Sequence, residues 1–353
     1  MTLLISAERL RGFIATAYCA VGISEGDARR IAQLQTEADL RGADGHGVFR
    51  LPQYIRRIKA GGVKIAPNIQ IVRETAAMAL VDGDNGMGHL VMSFAAHTAI
   101  AKATQAGVAW VGVRMSNHAG PASLYASMPL EAGMIGLYLA VGNANHLAPW
   151  GGIELLLSTN PIAVAVPAKS EPPIVLDMAT TTAAYGKVKT AAQRGESMPE
   201  GWMIDMQGRP LTDPKRADEG MLLPLGGMEA GYKGYGLSLV IGLLAGTLNR
   251  AAMGRDVVDF NKNDGAVTNT GHAIVAIDPA AFGDAGHFKD EVDRLIRDLR
   301  ASRRLPGVER VWLPGEQSQA KRIDRAKNGI PVPEALLAGL NKLASELGLE
   351  RLA

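Results

Sequence analysis

With 353 residues the chain can build two or three lobes with sizeable cores, and 37 Lys and Arg against 35 Asp and Glu leave a formal net charge of +2. That balance gives no electrostatic case for nucleic acid or an anionic membrane as a partner. A single cysteine, Cys19, excludes an internal disulfide, and no CxxC or Cys/His spacing suggests structural zinc.

Cys19 reads as a small buried residue beside Tyr18. Residues 1–8 have no basic segment and too short an apolar run for a signal peptide. The longest uncharged apolar run, 235–249, falls short of the roughly 20 residues of a membrane span, so a cytoplasmic, non-membrane protein is expected.

Leu10, Phe13, Ile14 and Tyr18 mark a first helix ending near Gly22. A second starts at Ser24, with Asp27 three residues on, carries Ile31, Leu34 and Ala38 on one face, and stops at Gly42. The stretch 40–52 that follows, LRGADGHGVFRLP, leaves His46 in a loop. From Val48 the spacing of Leu51, Tyr54, Ile55 and Ile58 restores a helical apolar face, so His46 and Arg50 lie one turn apart near that helix's start. A titratable imidazole beside a guanidinium suits a small anion with a reacting carbonyl or hydroxyl; the plain alternative is a capping histidine and a solvated arginine.

Gly61-Gly62 ends this helical lobe. Strands are expected at 69–71 and 77–81, then a turn at 82–86, a helix over 90–106 and a buried strand over 108–113. That strand leads into Ser116-Asn117-His118-Ala119-Gly120-Pro121, a strand-to-helix junction of the kind that offers free N–H groups to a phosphate. A helix to about 132 and a strand over 134–141 follow. Further strands are expected at 161–167 and 173–176, and 195–220 reads as a long surface excursion. The densest glycine loop, 226–236, opens a helix through Leu237, Val240, Ile241 and Leu244 that is apolar nearly all round and should therefore be central. A strand at 272–277, a charged amphipathic helix over 288–301 and helices near 317–327 and 333–347 complete the chain.

No G-x-G-x-x-G lies between a strand and a helix, so the usual dinucleotide fingerprint is missing, and the Lys233 loop alone supports phosphate binding weakly. No histidine pair has metal-ligand spacing, so a metal would need His46, His118, His146 and His272 to converge; none is expected. No G-x-S-x-G supports a serine hydrolase. Lys187, which follows a glycine near the 177–182 turn, is either a surface lysine or a site residue.

Taken in order, Leu40-Arg-Gly, His46-Gly-Val, Arg50-Leu-Pro, Tyr54, Asn117-His118, Gly120, Pro149-Trp-Gly-Gly, Thr159-Asn-Pro-Ile-Ala, Leu176-Asp-Met-Ala-Thr, Gly186-Lys187, Leu223-Pro-Leu-Gly-Gly, Lys233-Gly-Tyr-Gly-Leu and Pro314-Gly-Glu resemble the malate/L-lactate dehydrogenase family that lacks a Rossmann domain. That family includes ureidoglycolate, sulfolactate and diketogulonate oxidoreductases and a cyclic-imine (piperideine-carboxylate) reductase.

The resemblance implies an α/β (α+β) fold with a large mixed or mostly antiparallel sheet and a helical lobe. Residues 1–60, with the C-terminal helices of 317–347, would form a substrate lobe, 61–116 a dimerisation region, and 117–316 the cofactor domain. It implies hydride transfer between NAD, or alternatively NADP, and a 2-hydroxy or 2-keto acid, in a homodimer whose interface completes each active site. The strand-helix-strand reading of 77–141 suggests parallel pairing instead.

Carried over by position, His46 is the proton donor or acceptor, Arg50 the carboxylate partner, and His118 a second active-site imidazole. Tyr54 and Thr159 stand on the substrate side, and Lys187 is a catalytic candidate. His118, Ala119, Gly120, Pro121 and Ala122 line the cofactor, as do Asp177, Met178, Ala179, Lys233, Gly234, Gly315, Glu316 and Gln317. An imidazole with a pKa near neutrality would serve both directions, and a bidentate arginine would fix the reacting face of the carbon.

Two departures matter. Gly45 stands where many members carry serine, which removes a hydroxyl relay to His46 and motivates a non-catalytic, cofactor-binding alternative. Cyclic-imine reductases tend to carry an acid at Lys187, so the lysine favours the hydroxy-acid branch.

Overall fold

The structure, a computed structural model, describes residues 2–353. The chain begins with a strand, β1 (Thr2–Ile5), that carried no readable signal in four residues. Helix α1 (Ala7–Cys19) is capped by Ser6, which accepts from the Arg9 N–H, and α2 (Glu25–Leu40) by Ser24, which accepts from the Asp27 N–H. The chain then turns at Gly42 (φ +79°) through two short 3-10 turns, Asp44–His46 and Val48–Arg50, into α3 (Leu51–Lys59), with Pro52 in its first turn. Leu10, Ile14, Ile31, Leu51, Tyr54 and Ile55 meet in one core. Cys19, expected inside, is exposed: it ends α1 on the side away from Tyr18, which is the residue buried there.

Strands β2 (Gln70–Glu74) and β3 (Met78–Asp82) form a hairpin; α4 (Gly88–Ala106) then crosses over, and β4 (Val108–Ser116) returns parallel to β3. Where one helix to about 132 was expected, α5 (Ser123–Ala126) gives way to a 3-10 turn over Met128–Ala132 with Pro129 in it, because proline removes the N–H a continuing helix needs. Then come β5 (Ile135–Ala140), the short pair β6 (Asn145–Leu147) and β7 (Leu157–Ser158), and strands β8 (Ile162–Val166) and β9 (Ile174–Met178). Helix α6 (Tyr185–Arg194) leads to β10 (Met203–Asp205) and β11 (Gly220–Leu222), an antiparallel pair. The 195–220 segment is thus a small lobe with its own core of Met198, Met203, Leu211 and Leu222 packed on Val188, not a bare surface excursion. Helix α7 (Gly227–Ala245), β12 (Thr270–Ile277), α8 (Ala285–Ala301), α9 (Glu316–Asn328), β13 (Ile330–Pro333) and α10 (Glu334–Leu347) follow, and β13 pairs antiparallel with β1, tying the C-terminus into the N-terminal core.

The main sheet has the order β2-β3-β4-β12-β5-β8-β9. Only β3 and β4 are parallel; β12 lies antiparallel between β4 and β5. The strand-helix-strand reading is therefore right for β3-α4-β4 and wrong for β4 and β5, which never pair because a late strand separates them. Alternation along β12 buries Ile274 and Ala276 against α4 and Ala273 against Ile241 and Ala245 of α7.

Helix α7 departs from expectation. The sheet covers one flank only, and Tyr232, Val240 and Leu243 remain about half exposed, at 53, 52 and 45 %. An all-round apolar helix has two faces to bury, and this chain covers one of them. No described helix is long and apolar enough to cross a membrane.

Candidate active site

Strands β4, β5 and β9 run in one direction and end at one edge of the sheet, where β8 and β12 begin. The loops at that edge carry His118 after β4, Thr159 before β8 and Ala179 after β9. They are tied together: the Thr180 N–H donates to the Thr159 carbonyl at 3.0 Å, and the Ser123 N–H to Asp177 Oδ2 at 2.8 Å. Asn117, buried, donates to the Asn85 and Gly86 carbonyls and accepts from Arg57, so the β4 loop is fixed from below.

The His46 loop is held over this edge by Asp39 of α2. Its Oδ2 accepts the Val48 N–H at 2.8 Å, and a Cβ on Gly47 would lie 2.0 Å from its Oδ1, so no larger residue fits there. Burial pushes the Asp39 carboxyl up to about 8, which makes it a neutral or half-neutral clamp near physiological pH.

His46 stacks on His118 with ring centroids 5.5 Å apart and planes 13° from parallel, and His118 also stacks on Phe260 at 5.0 Å. His118 Nδ1 faces two donors, the Tyr54 hydroxyl at 2.5 Å and the Gly120 N–H at 3.4 Å. Burial raises the Tyr54 pKa, so that hydroxyl keeps its proton and donates it. The neutral His118 ring is thereby fixed with its proton on Nε2, a hydrogen-bond donor.

The two imidazoles thus differ. Among the described residues no hydrogen bond engages either ring nitrogen of His46, which leaves it open to a ligand. Burial first, and the Arg50 cation second, push its pKa down to about 4, well below the near-neutral value expected for a two-way acid/base. Burial likewise lowers that of His118.

Arg50 is held by the Gly45 carbonyl at 2.9 Å and by Gln53 Oε1 at 2.7 Å, and its guanidinium lies 5.3 Å from the Phe260 ring centroid. Among the described residues it has no carboxylate partner. A half-buried guanidinium without a counter-ion beside an open imidazole is arranged for an incoming carboxylate.

Of the other expected residues, Tyr54 joins the group through His118, and Thr159 sits at the same sheet edge. Lys187 does not join it within this chain: it is exposed on α6, its ammonium 6.0 Å from the Trp202 ring. Two residues along a helix is a rotation of roughly 200°, so Lys189, not Lys187, faces the site, donating to Asn261 Oδ1 at 3.0 Å. Asn261 Oδ1 also accepts from Arg50 at 3.3 Å. Phe260, Asn261, Lys189 and Asp39 join this cluster although no motif marked them. His272 bonds the Tyr138 hydroxyl and Ser116 inside the sheet, and His146 stacks on Tyr185, so these two stay apart from His46 and His118. Among the described residues no group of three metal-ligating side chains is found.

Of the segments assigned to the cofactor, 118–122 and 177–179 lie at this edge. Gly120 (φ +83°) carries the 118–122 loop past His46, whose carbonyl lies 3.9 Å from where a Gly120 Cβ would sit. Gly315 (φ +92°) lies against Val175, and the Pro314 carbonyl accepts the Val175 N–H, which places 315–317 beside the start of β9, the strand that ends on Asp177 and Met178. Glu316 is spent on Arg300, Arg310 and the Leu313 N–H, so it shapes the loop rather than offering a free carboxylate; Gln317 is exposed. Lys233 is exposed on α7 with no ion pair among the described residues, while Gly234 packs its α-carbon on the Leu225 backbone. The Lys233 ammonium, the Asp177 carboxyl and the two imidazoles form a donor and acceptor set that fits an anionic dinucleotide with hydroxylated sugars.

A mostly antiparallel sheet whose edge loops gather two imidazoles and a guanidinium is the architecture expected of a nicotinamide oxidoreductase without a Rossmann domain. The sequence profile described as Malate/L-lactate dehydrogenase matches residues 5–341. The malate dehydrogenase of Pyrococcus horikoshii is 38% identical over 353 residues, covering 99% of this chain and 96% of that one. The malate/(S)-sulfolactate dehydrogenase of Methanothermus fervidus is 36% identical over 348 residues, 99% of each. The solved structure of the Pyrococcus horikoshii OT3 malate dehydrogenase superposes with a TM-score of 0.91 at 36% identity, covering 99% of this chain and 97% of that chain. The chain belongs to the malate/L-lactate dehydrogenase family.

Proposed function

We propose that the protein is an NAD(P)-dependent dehydrogenase that interconverts a malate- or lactate-like 2-hydroxy acid and its 2-keto acid. The observation that carries this reading is the unequal imidazole pair beside an unpaired guanidinium: His46 has free nitrogens, while His118 is fixed as a donor. A nicotinamide bound at the sheet edge supplies or accepts the hydride. Arg50 takes the substrate carboxylate and so turns one face of C2 toward the cofactor. His46 removes the hydroxyl proton during oxidation and returns it during reduction, and His118 Nε2–H donates a hydrogen bond to the same oxygen. Tyr54 holds the His118 tautomer. Gly45 removes a serine relay but leaves His46 open, so its absence is no obstacle to direct proton transfer.

Substrate carboxylate on Arg50 offsets the cation that depresses His46, so binding raises the imidazole pKa at the moment a proton is needed for reduction. Purified protein with reduced cofactor and 2-keto acids, pyruvate among them, is expected to consume absorbance at the reduced-nicotinamide band, with NAD preferred to NADP. Cofactor binding without turnover across hydroxy and keto acids would point to the non-catalytic alternative instead.

We also read the uncovered flank of α7 as a dimer contact. Val240 and Leu243 are exposed there, Trp150 meets Tyr232 edge-on at 6.4 Å, and Lys233 lies on the same helix. A contact there would adjoin the Lys233 cofactor segment, as a shared active site requires. Sedimentation at micromolar concentration should give one species of twice the chain mass, shifted to monomer by Val240→Asp with Leu243→Asp. A monomeric wild type would refute it.

A further inference from the structure

Resting on the reading just given, we propose that Lys189 is a second anion anchor: it holds the distal carboxylate or sulfonate of a short dianionic 2-hydroxy or 2-keto acid whose first carboxylate sits on Arg50. Lys189 Nζ and Arg50 Nη1 both donate to Asn261 Oδ1, at 3.0 and 3.3 Å, so the two cations lie at most about 6 Å apart. The orientation of that amide is set from behind, because the Asn261 N–H and Nδ2 both donate to Asp259 Oδ1 at 2.9 Å. Its oxygen is therefore turned to the cations. Among the described residues neither cation has an ion pair; Asp259 and Asp218 act on Lys189 from the same cavity, but burial and the Arg50 cation outweigh them, so two like charges are held together around one neutral oxygen in a half-buried place. Such a pair is satisfied by a ligand with two negative ends.

Geometry separates the two anchors. Arg50 faces Phe260, whereas Lys189 and Asn261 line an adjoining cavity of about 300 Å³ with His146, Tyr185, Asp259 and Lys262. Lys189 lies 5.6 Å from the Tyr185 ring, which itself stacks on His146 at 3.7 Å, so the ammonium is steered rather than loose. In a four-carbon diacid the two carboxyl carbons are roughly 3.9 Å apart when extended, and adding one hydrogen bond at an angle on each end spans the distance between the cations. A three-carbon monoacid offers one carboxylate, which can only be shared between the two cations, whereas a diacid gives each its own.

The test compares oxaloacetate with pyruvate, which differ by that one carboxylate, using cofactor-loaded wild type, Lys189→Met and Lys189→Arg. Wild type is expected to favour oxaloacetate. In Lys189→Met the ratio of the two kcat/KM values should fall by about 10- to 100-fold, mainly through KM for oxaloacetate, and Lys189→Arg should restore most of it. A ratio unchanged in Lys189→Met, or a wild type that prefers pyruvate, would overturn the proposal while leaving a 2-keto acid reductase in place. If wild type turns over neither acid, the dehydrogenase reading fails by itself. Calorimetry with L-malate against L-lactate then decides the anchor: malate binding weakened in Lys189→Met supports it, and equal or absent malate binding refutes it.

Discussion

His46→Ala should lower kcat by about 10²- to 10⁴-fold in both directions while cofactor affinity stays within a few-fold of wild type. The size follows from what the side chain does. Proton transfer at the substrate oxygen accompanies hydride transfer at carbon, and among the site's groups His46 alone combines free ring nitrogens with a position beside Arg50. His118 cannot replace it readily: its Nδ1 is committed to Tyr54 and Gly120, so its exposed nitrogen already carries the proton. Steady-state rates and a cofactor titration on the same preparation check this. His118→Ala should be the milder loss, because a hydrogen-bond donor is removed and not the proton acceptor. A His46→Ala enzyme with rates within threefold of wild type would transfer the role to His118 and overturn the tautomer argument.

Arg50→Ala should cost about 2–5 kcal/mol in kcat/KM, a factor of roughly 30 to several thousand, with KM for the keto acid carrying much of it. The guanidinium is already pre-positioned by the Gly45 carbonyl and Gln53, so binding the carboxylate requires little reordering. Arg50→Lys should recover only part, since an ammonium supplies charge without the planar fork. The substitution has a second consequence: removing the cation lifts one of the two influences that depress His46, so any residual activity should show its proton transfer at higher pH than wild type. Initial rates across a pH series read both effects.

Parts of this site could be seen in the sequence for local reasons. Ser24, Gly42 and the glycines around His46 are cap and turn signals, so the loop and its one-turn spacing to Arg50 follow from short-range chemistry. The apolar periodicities of α1, α2 and α4 were equally local. What could not be read depends on distant pairing. Phe260 and Asn261 come from an irregular loop with no periodicity, yet Phe260 packs on His118 from 142 residues away and Asn261 on Arg50 from 211. Strand β12 was visible as a strand, but nothing near it says that it inserts between β4 and β5. Asp39 lies on the buried side of α2 like any helical residue, and only the fold shows that it clamps the His46 loop. Lys187 drew notice by following a glycine, whereas the helical rotation turns Lys189 inward. Helix α7 reads as central because it is apolar nearly all round, and only the fold shows that one chain covers a single flank of it.

The pH dependence of kcat/KM, measured in both directions on the wild type, tests most directly whether His46 exchanges the proton. Because one proton is released per oxidation, the ratio of the two directions must change tenfold per pH unit, and the pKa of the acid/base decides which direction carries the change. With His46 near 4, the imidazole is already neutral through the whole range from pH 5.5 to 8. Oxidation is then expected to be flat over that range, while reduction, which needs the protonated ring, falls about tenfold per unit. An oxidation limb that declines on acidification with an inflection at or above about 6.5, persisting in His46→Ala, would contradict the account.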